Sequence, residues 1–160
     1  GYFRRVINRL ESIHYKINTA TKLQIWRHLQ MCDEEFIPPL SQRVNIEEYS
    51  EKISALANRF EAWHGQNLVG LVAIYMNDEK KVTAFVSSVS VLSQFMGKGI
   101  SSKLLSTSVE ITKRLGFSEV VLEVNEMNLK AKKLYQKNGF VKVSIDNGIE
   151  KMIFNLIKNT

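Results

Sequence analysis

Nine consecutive residues carry the strongest chemical suggestion in the chain: Gln94-Phe95-Met96-Gly97-Lys98-Gly99, followed at once by Ile100, Ser101 and Ser102. Two glycines let a backbone approach a ligand and take dihedrals closed to other residues. A helix opening just after them would aim unpaired N–H groups at that ligand and add roughly half a positive charge. Lys98 can supply a direct charge, and Ser101 and Ser102 fall in the first helical turn, where a hydroxyl can add a bond. The chemistry this arrangement offers is anion binding, and a phosphate is the natural anion. The same residues also suit a plain tight turn into a helix, and by themselves they do not separate the two readings. Two better-known phosphate loops are excluded. A Walker A loop needs a glycine five residues before Gly97 and a Ser or Thr after Lys98, where Leu92 and Gly99 stand. A dinucleotide fingerprint needs a third glycine where Ser102 stands.

Other residues with chemical potential are more ambiguous. Tyr135 shares a helix face with Ala131 and Leu134, the position of an amphipathic core tyrosine. Asn125 and Asn128 fall at a strand end and a helix start, where asparagine is an ordinary cap. His14, His28 and Cys32 have no partners at metal-ligand spacing, so no metal is expected. Asp33, Glu34, Glu35, Glu61, His64 and Glu123 are candidate general bases, none of which stands out, and a solvated surface role serves each acid as well.

The elements that would hold these residues follow from periodicity and punctuation. Residues 2–12 read as a short amphipathic helix and 14–18 as a first strand. Thr19 or Thr21 can cap a helix reaching about Glu35, with Leu23, Trp26, Leu29 and Cys32 inward; Pro38-Pro39 stops it. Asn45 and Glu48 form a capping pair for a helix over 46–58. Strands are expected over 59–64, 68–76 and 81–92, the last slipping phase at Ser87-Ser88 as a bulge would. A helix over 99–115, a strand over 119–124 and a helix over 128–138 follow. Two closing strands, 140–145 and 151–157, flank the turn Asp146-Asn147-Gly148. Hairpins combined with helical crossovers make a mixed α+β sheet, and without repeat or linker the 160 residues read as one domain.

Composition narrows the class. At 44% hydrophobic and 24% charged the chain is an ordinary globular protein, and its longest apolar run, Leu68 to Met76, is too short to span a membrane. One cysteine permits no internal disulfide, and Val6-Ile7 behind Arg4-Arg5 is no signal-peptide core, so a cytoplasmic location is expected. The net charge of +6 suits either a polyanionic partner or plain solubility. Nucleic-acid binding is not expected, because basic and aromatic residues do not alternate along a surface.

Gln94-x-x-Gly97-x-Gly99 resembles the acetyl-CoA loop of the GNAT (Gcn5-related N-acetyltransferase) family. About thirty residues on, Val124-Asn125-Glu126-Met127-Asn128-x-x-Ala131-x-x-Leu134-Tyr135-x-Lys137-x-Gly139-Phe140 is similar to that family's second motif. The likeness is dense over 80–156, while 1–13 and 33–58 carry no motif of the family. It implies a splayed, mostly antiparallel sheet of six to seven strands flanked by helices. It also implies acetyl-CoA as cosubstrate and direct attack of an amine on the thioester in a ternary complex. On this resemblance the loop residues Gln94, Met96, Gly97, Lys98, Gly99, Ile100, Ser101 and Ser102 hold the pyrophosphate. Met96 departs from the arginine or glutamine of many members, so that contact falls to the backbone. The main chain of Val89 and Val91 would face the cofactor and the thioester oxygen. Asn128 would lie near the pantetheine arm, and Asn125 would be a further cofactor-binding residue. Tyr135, a phenol titrating near 10, would protonate the departing thiolate, whose thiol titrates near 8.5.

A lysine-like acceptor must first lose a proton, which at pH 7 costs roughly 4–5 kcal/mol. Acceptor choice is expected from 31–46 and 144–152, where Asp33 to Glu35 could attract a cation and Phe36, Pro38 and Pro39 could wall a pocket. A small-molecule amine, for example an amino sugar, is the first expectation. A peptide N-terminus or lysine is the alternative, and a non-catalytic acyl-CoA-binding module is the rival from another class. A homodimer is allowed.

Overall fold

The computed structural model describes residues 12–157. The helix expected over 2–12 therefore lies almost wholly outside the described residues. Seven strands form one sheet: β1 (His14–Ile17), β2 (Asn58–His64), β3 (Asn67–Tyr75), β4 (Thr83–Val91), β5 (Glu119–Asn125), β6 (Val141–Asp146) and β7 (Ile149–Asn155). Among the described residues four α-helices flank it: α1 (Lys22–Met31), α2 (Ile46–Leu56), α3 (Ile100–Arg114) and α4 (Leu129–Lys137). None of the described helices is long and apolar enough to cross a membrane.

Three of the four helices begin where the sequence supplies a side-chain acceptor for their first N–H groups. Thr21 and Gln24 close a reciprocal capping box at the start of α1. Asn45 accepts from Glu48 N at the start of α2, and Asn128 accepts from Ala131 N at the start of α4. The helix expected to reach Glu35 ends at Met31, and a short 3₁₀ turn covers Asp33–Glu35. Its inward face also differs: Ile25, His28, Leu29 and Cys32 are buried, Trp26 is half-buried, and Leu23 is 46% exposed. The reason is polar. His28 has a hydrogen-bond partner for each ring nitrogen inside the fold, so burying it leaves nothing unpaired.

The sheet runs β1-β2-β3-β4-β5-β7-β6. Every neighbouring pair is antiparallel except β4 with β5, which α3 joins as a parallel crossover. The mixed, splayed sheet is as expected. The splay can be located. β4 pairs with β5 only over Thr83–Val86 against Glu119–Leu122. β3 keeps pairing with β4 as far as Val91, but its register skips Ser87. That bulge bends β4 away from β5 and opens a gap beside residues 87–91. At the far edge, Asn147 and Gly148 take φ of 48° and 77° in the two-residue turn joining β6 to β7.

One core lies under α3 and α4, with Leu104, Leu105, Leu122, Phe140 and Met152 among its buried members. A second lies under α1 and α2, built on Ile25, Leu29, Ile53, Trp63 and Leu71. Gly70 on β3 lets α3 settle on the sheet. A Cβ there would meet Ile100 Cγ2 at 2.9 Å, Ala62 Cβ at 3.2 Å and Leu104 Cδ1 at 3.2 Å. Gly70→Ala is therefore expected to destabilise the fold by about 1–3 kcal/mol. Urea titration should show a lower midpoint at unchanged slope; an unmoved midpoint would mean that α3 yields without cost.

Candidate active site

The gap between β4 and β5 is the mouth of a cavity of about 370 Å³. Four pieces of chain enclose it. The open edge of β4 supplies Ser87 to Val91, and the loop entering α3 supplies Phe95, Met96, Gly97, Gly99 and Ile100 with Ser101 and Ser102. The end of β5 and the inner face of α4 add Glu123 to Asn125, Asn128, Ala131, Leu134 and Tyr135. Glu35, Phe36, Ile37 and Arg43 close the opposite side.

The phosphate-type loop has the geometry its glycines allow. Gly97 and Gly99 take φ of 76° and 77°, and a Cβ built on either would meet nothing within 4 Å. The glycines answer a left-handed backbone rather than crowding. Gly99 is the N-cap of α3 and has no side chain to satisfy the first N–H groups of the helix, which leaves them directed at the cavity. Ser102 Oγ accepts from Asn138 Nδ2 at 3.2 Å, so its own proton is free to donate. Lys130 Nζ stands 3.2 Å from Met96 Sδ and lines the cavity. Gln94 and Lys98 are exposed and do not line it; Lys98 Nζ sits 5.7 Å over the Phe95 ring. The cation beside the loop is thus Lys130, contributed by α4.

The bulged strand exposes main-chain donors. Leu92 gives its N–H to Val69 O on β3 at 2.9 Å. N–H groups alternate sides along a strand, so those of Val91 and Val89 point the other way, into the gap. On the far wall Tyr135 is 9% exposed. Its ring packs edge-on against Phe140 at 6.2 Å. Burial pushes its phenol up to about 12. Among the described residues its hydroxyl has no hydrogen-bond partner, yet it is not sealed off; it opens on the cavity that Tyr135 lines. Asn125 and Asn128 also line the cavity, and each has one oxygen engaged locally: Asn125 Oδ1 with Met127 N at 2.9 Å, Asn128 Oδ1 with Ala131 N at 3.2 Å.

The candidate bases separate. Glu35 and Glu123 line the cavity, whereas Asp33, Glu34, Glu61 and His64 do not. Glu61 is fully buried and held by Thr19, Ala20 and Trp63, which removes it as a base. Asp33 is tied to Ser41 N and Oγ at 2.7 and 2.6 Å, and those bonds hold its carboxyl below the usual range. The hairpin over 144–152 adds nothing to the lining, because β5 stands between it and β4 in the order of the sheet. Among the described residues no three His, Cys, Asp or Glu side chains cluster as a metal site would require.

Reading along the chain missed one group: His28 and Ser90, with Ser88 beside them. His28 Nε2 lies 2.8 Å from Ser90 Oγ across 62 residues of sequence. No local pattern announces such a pair.

Residues 23–140 match the family described as Acetyltransferase (GNAT) family. Among curated proteins, N-alpha-acetyltransferase MAK3 of Arabidopsis thaliana is 29% identical over 84 residues, 52% of this chain and 44% of that protein. N-alpha-acetyltransferase 30 of Schizosaccharomyces pombe is 26% identical over 83 residues, 51% of this chain and 55% of that protein. The chain spans about half the length of these relatives. Among solved structures, the PaiA N-acetyltransferase from Thermoplasma acidophilum, in complex with coenzyme A, superposes with a TM-score of 0.72 at 18% identity, covering 90% of this chain and 99% of that one. At that identity the likeness is one of fold.

Proposed function

Because this chain belongs to the GNAT acetyltransferase family, we propose that it moves the acetyl group of acetyl-CoA onto a primary amine by direct attack in a ternary complex. One observation carries the reading. A single cavity gathers the left-handed glycine loop, the open edge of β4 and the unpartnered Tyr135 phenol around the same space. Acetyl-CoA supplies the activated acyl group.

The N–H groups from Gly97 to Ser102 receive the pyrophosphate, that of Met96 being given to Ser93 O, with Ser101 and Ser102 adding hydroxyls and Lys130 adding charge. Gln94 and Lys98 flank that grip from the solvent side. The N–H groups of Val89 and Val91 face the thioester and stabilise the oxygen that gains charge. Asn125 and Asn128 keep their amide nitrogens for the pantetheine arm. Tyr135 holds its proton through neutral pH and delivers it to the departing sulfur. The acceptor enters past Phe36 and Ile37, between Glu35 and Arg43, an amphiphilic mouth suited to a small amine. A peptide N-terminus is the second reading, favoured by the two N-alpha-acetyltransferase relatives.

Saturating acetyl-CoA, at about a hundred times its Kd, should stabilise the fold by about 2.7 kcal/mol. For a domain of this size that raises Tm by about 5–10 °C. Gly97→Asp should remove the shift, because it puts a carboxylate and a strained φ where the anion would sit. A parent protein that shows no shift would sink the cofactor assignment. Thiol release with spermidine, glucosamine, glycinamide and a pentapeptide with a free amino terminus then separates the acceptor classes. Turnover of the peptide alone would replace the small-molecule reading with the second one.

A further inference from the structure

We propose that Ser90 receives an N–H of the acceptor amine, with His28 as the positioning residue that fixes the direction of its hydroxyl and Ser88 as a second contact. The inference rests on the acetyl-transfer reading and names the acceptor side of that site.

The hydrogen-bond directions are fixed by elementary chemistry. His28 is 2% exposed, and its Nδ1 lies 2.9 Å from Leu68 O. A carbonyl oxygen only accepts, so Nδ1 carries the proton. Burial pushes the imidazole down to about 4, so at neutral pH Nε2 keeps a lone pair. Ser90 Oγ, 2.8 Å away, must therefore donate its proton to Nε2. Cys32 Sγ lies 3.7 Å from the same nitrogen, and burial holds its thiol protonated by pushing it up to about 12. With its only proton committed, Ser90 can offer the cavity nothing but an acceptor. An amine is a donor, and this hydroxyl is matched to it.

Ser88 points to a ligand independently. It is 4% exposed, its Oγ is fully buried, and no hydrogen-bond partner reaches it among the described residues. It lines the same cavity and lies two residues from Ser90, on the same face of β4. A buried hydroxyl left unpaired is costly, and rotation of this side chain toward the cavity would let an occupant supply the missing partner.

Magnitudes decide between orienting the amine and storing its proton. An alkylamine titrates near 10.4, far above a buried imidazole at about 4. His28 is too weak a base to hold the acceptor's proton, so the pair positions nitrogen for attack and leaves deprotonation to solvent.

Two measurements test this. In ¹⁵N-histidine NMR of the whole chain, His28 should show a protonated Nδ1 and a bare Nε2 from pH 6 to 9; a proton on Nε2 overturns the proposal. In kinetics with spermidine and with the free-amino-terminal pentapeptide, Ser90→Ala should lower kcat/KM for the amine by about 10- to 100-fold. KM for acetyl-CoA and the acetyl-CoA thermal shift should stay unchanged. Ser90→Thr, which keeps the hydroxyl, should recover most of the loss. His28→Gln, whose amide oxygen can take the place of Nε2, should retain more activity than His28→Leu. Turnover that Ser90→Ala leaves within twofold of the parent sinks this proposal alone. No acetyl-CoA shift and no turnover with any amine sinks the acetyl-transfer reading, and this proposal with it.

Discussion

Tyr135→Phe is expected to lower kcat by about 10²–10⁴-fold, the range for a positioned general acid, while acetyl-CoA affinity holds. The substitution removes one oxygen and leaves the ring, so its packing against Phe140 survives and the fold should be undisturbed. The phenol hydroxyl has no hydrogen-bond partner among the described residues, so its removal orphans no other group. Loss of rate can then be assigned to the proton. Burial pushes this phenol up to about 12, so it stays protonated at every pH used in an assay and should impose no falling limb below about pH 11. The dry wall that raises the phenol also raises the departing thiolate, so donor and acceptor shift together. Stopped-flow thiol release at saturating acetyl-CoA is the measurement, with the thermal shift as the check on binding. Full turnover by Tyr135→Phe would remove the proposed acid and return this tyrosine to a packing role.

Glu61→Ala should be the most damaging substitution for stability, at about 3–5 kcal/mol, the cost of breaking a buried ion pair from one side. Glu61 is fully buried on β2. Its carboxylate accepts from Thr19 N at 3.0 Å, Ala20 N at 2.9 Å and Trp63 Nε1 at 3.1 Å, as well as from the Thr19 hydroxyl. Arg59 Nε stands 3.8 Å away, otherwise without a partner. This carboxylate therefore pins the connection from β1 to α1 onto the sheet. A loss of that size takes a large share of a domain's stability and should lower Tm by about 6–20 °C in circular dichroism. Glu61→Gln keeps the shape and part of the bonding and should fall between parent and alanine variant. A Tm within 2 °C of the parent in both variants would show that the network contributes little. Because α1 carries His28, the alanine variant should also lose its fixed Ser90 hydroxyl.

Local devices were readable from the chain because they act over three or four residues. Thr21 with Gln24, Asn45 with Glu48, and Asn128 before Ala131 each cap the helix they announce. The phase slip at Ser87-Ser88 is the bulge that parts β4 from β5. The glycine pair at 97 and 99 takes the left-handed backbone that only glycine adopts freely. The structure departs from these local expectations, or adds to them, where a neighbour distant in sequence sets the outcome. The face of α1 differs from its hydropathy, which puts histidine outside, because Leu68 O takes the Nδ1 proton of His28 and the Ser90 hydroxyl donates to Nε2 inside the fold. Glu61 read as a surface acid because the donors that bury it are 41 and 42 residues away, apart from its neighbour Trp63. Lys98 is the cation that lies next to the loop in sequence, and the fold adds Lys130 from α4.

The sequence alone therefore determined the glycine loop, the caps, the bulge and the order of strands and helices, since backbone dihedrals and hydrophobic period are local properties. Tertiary structure alone decided which groups face one another across the cavity. It set Tyr135 opposite the open edge of β4, made Lys130 the cation beside Met96, and turned the Ser90 hydroxyl toward His28. Hydrogen-bond direction and burial depend on what the fold brings within 3 Å, and no spacing along a chain encodes that distance.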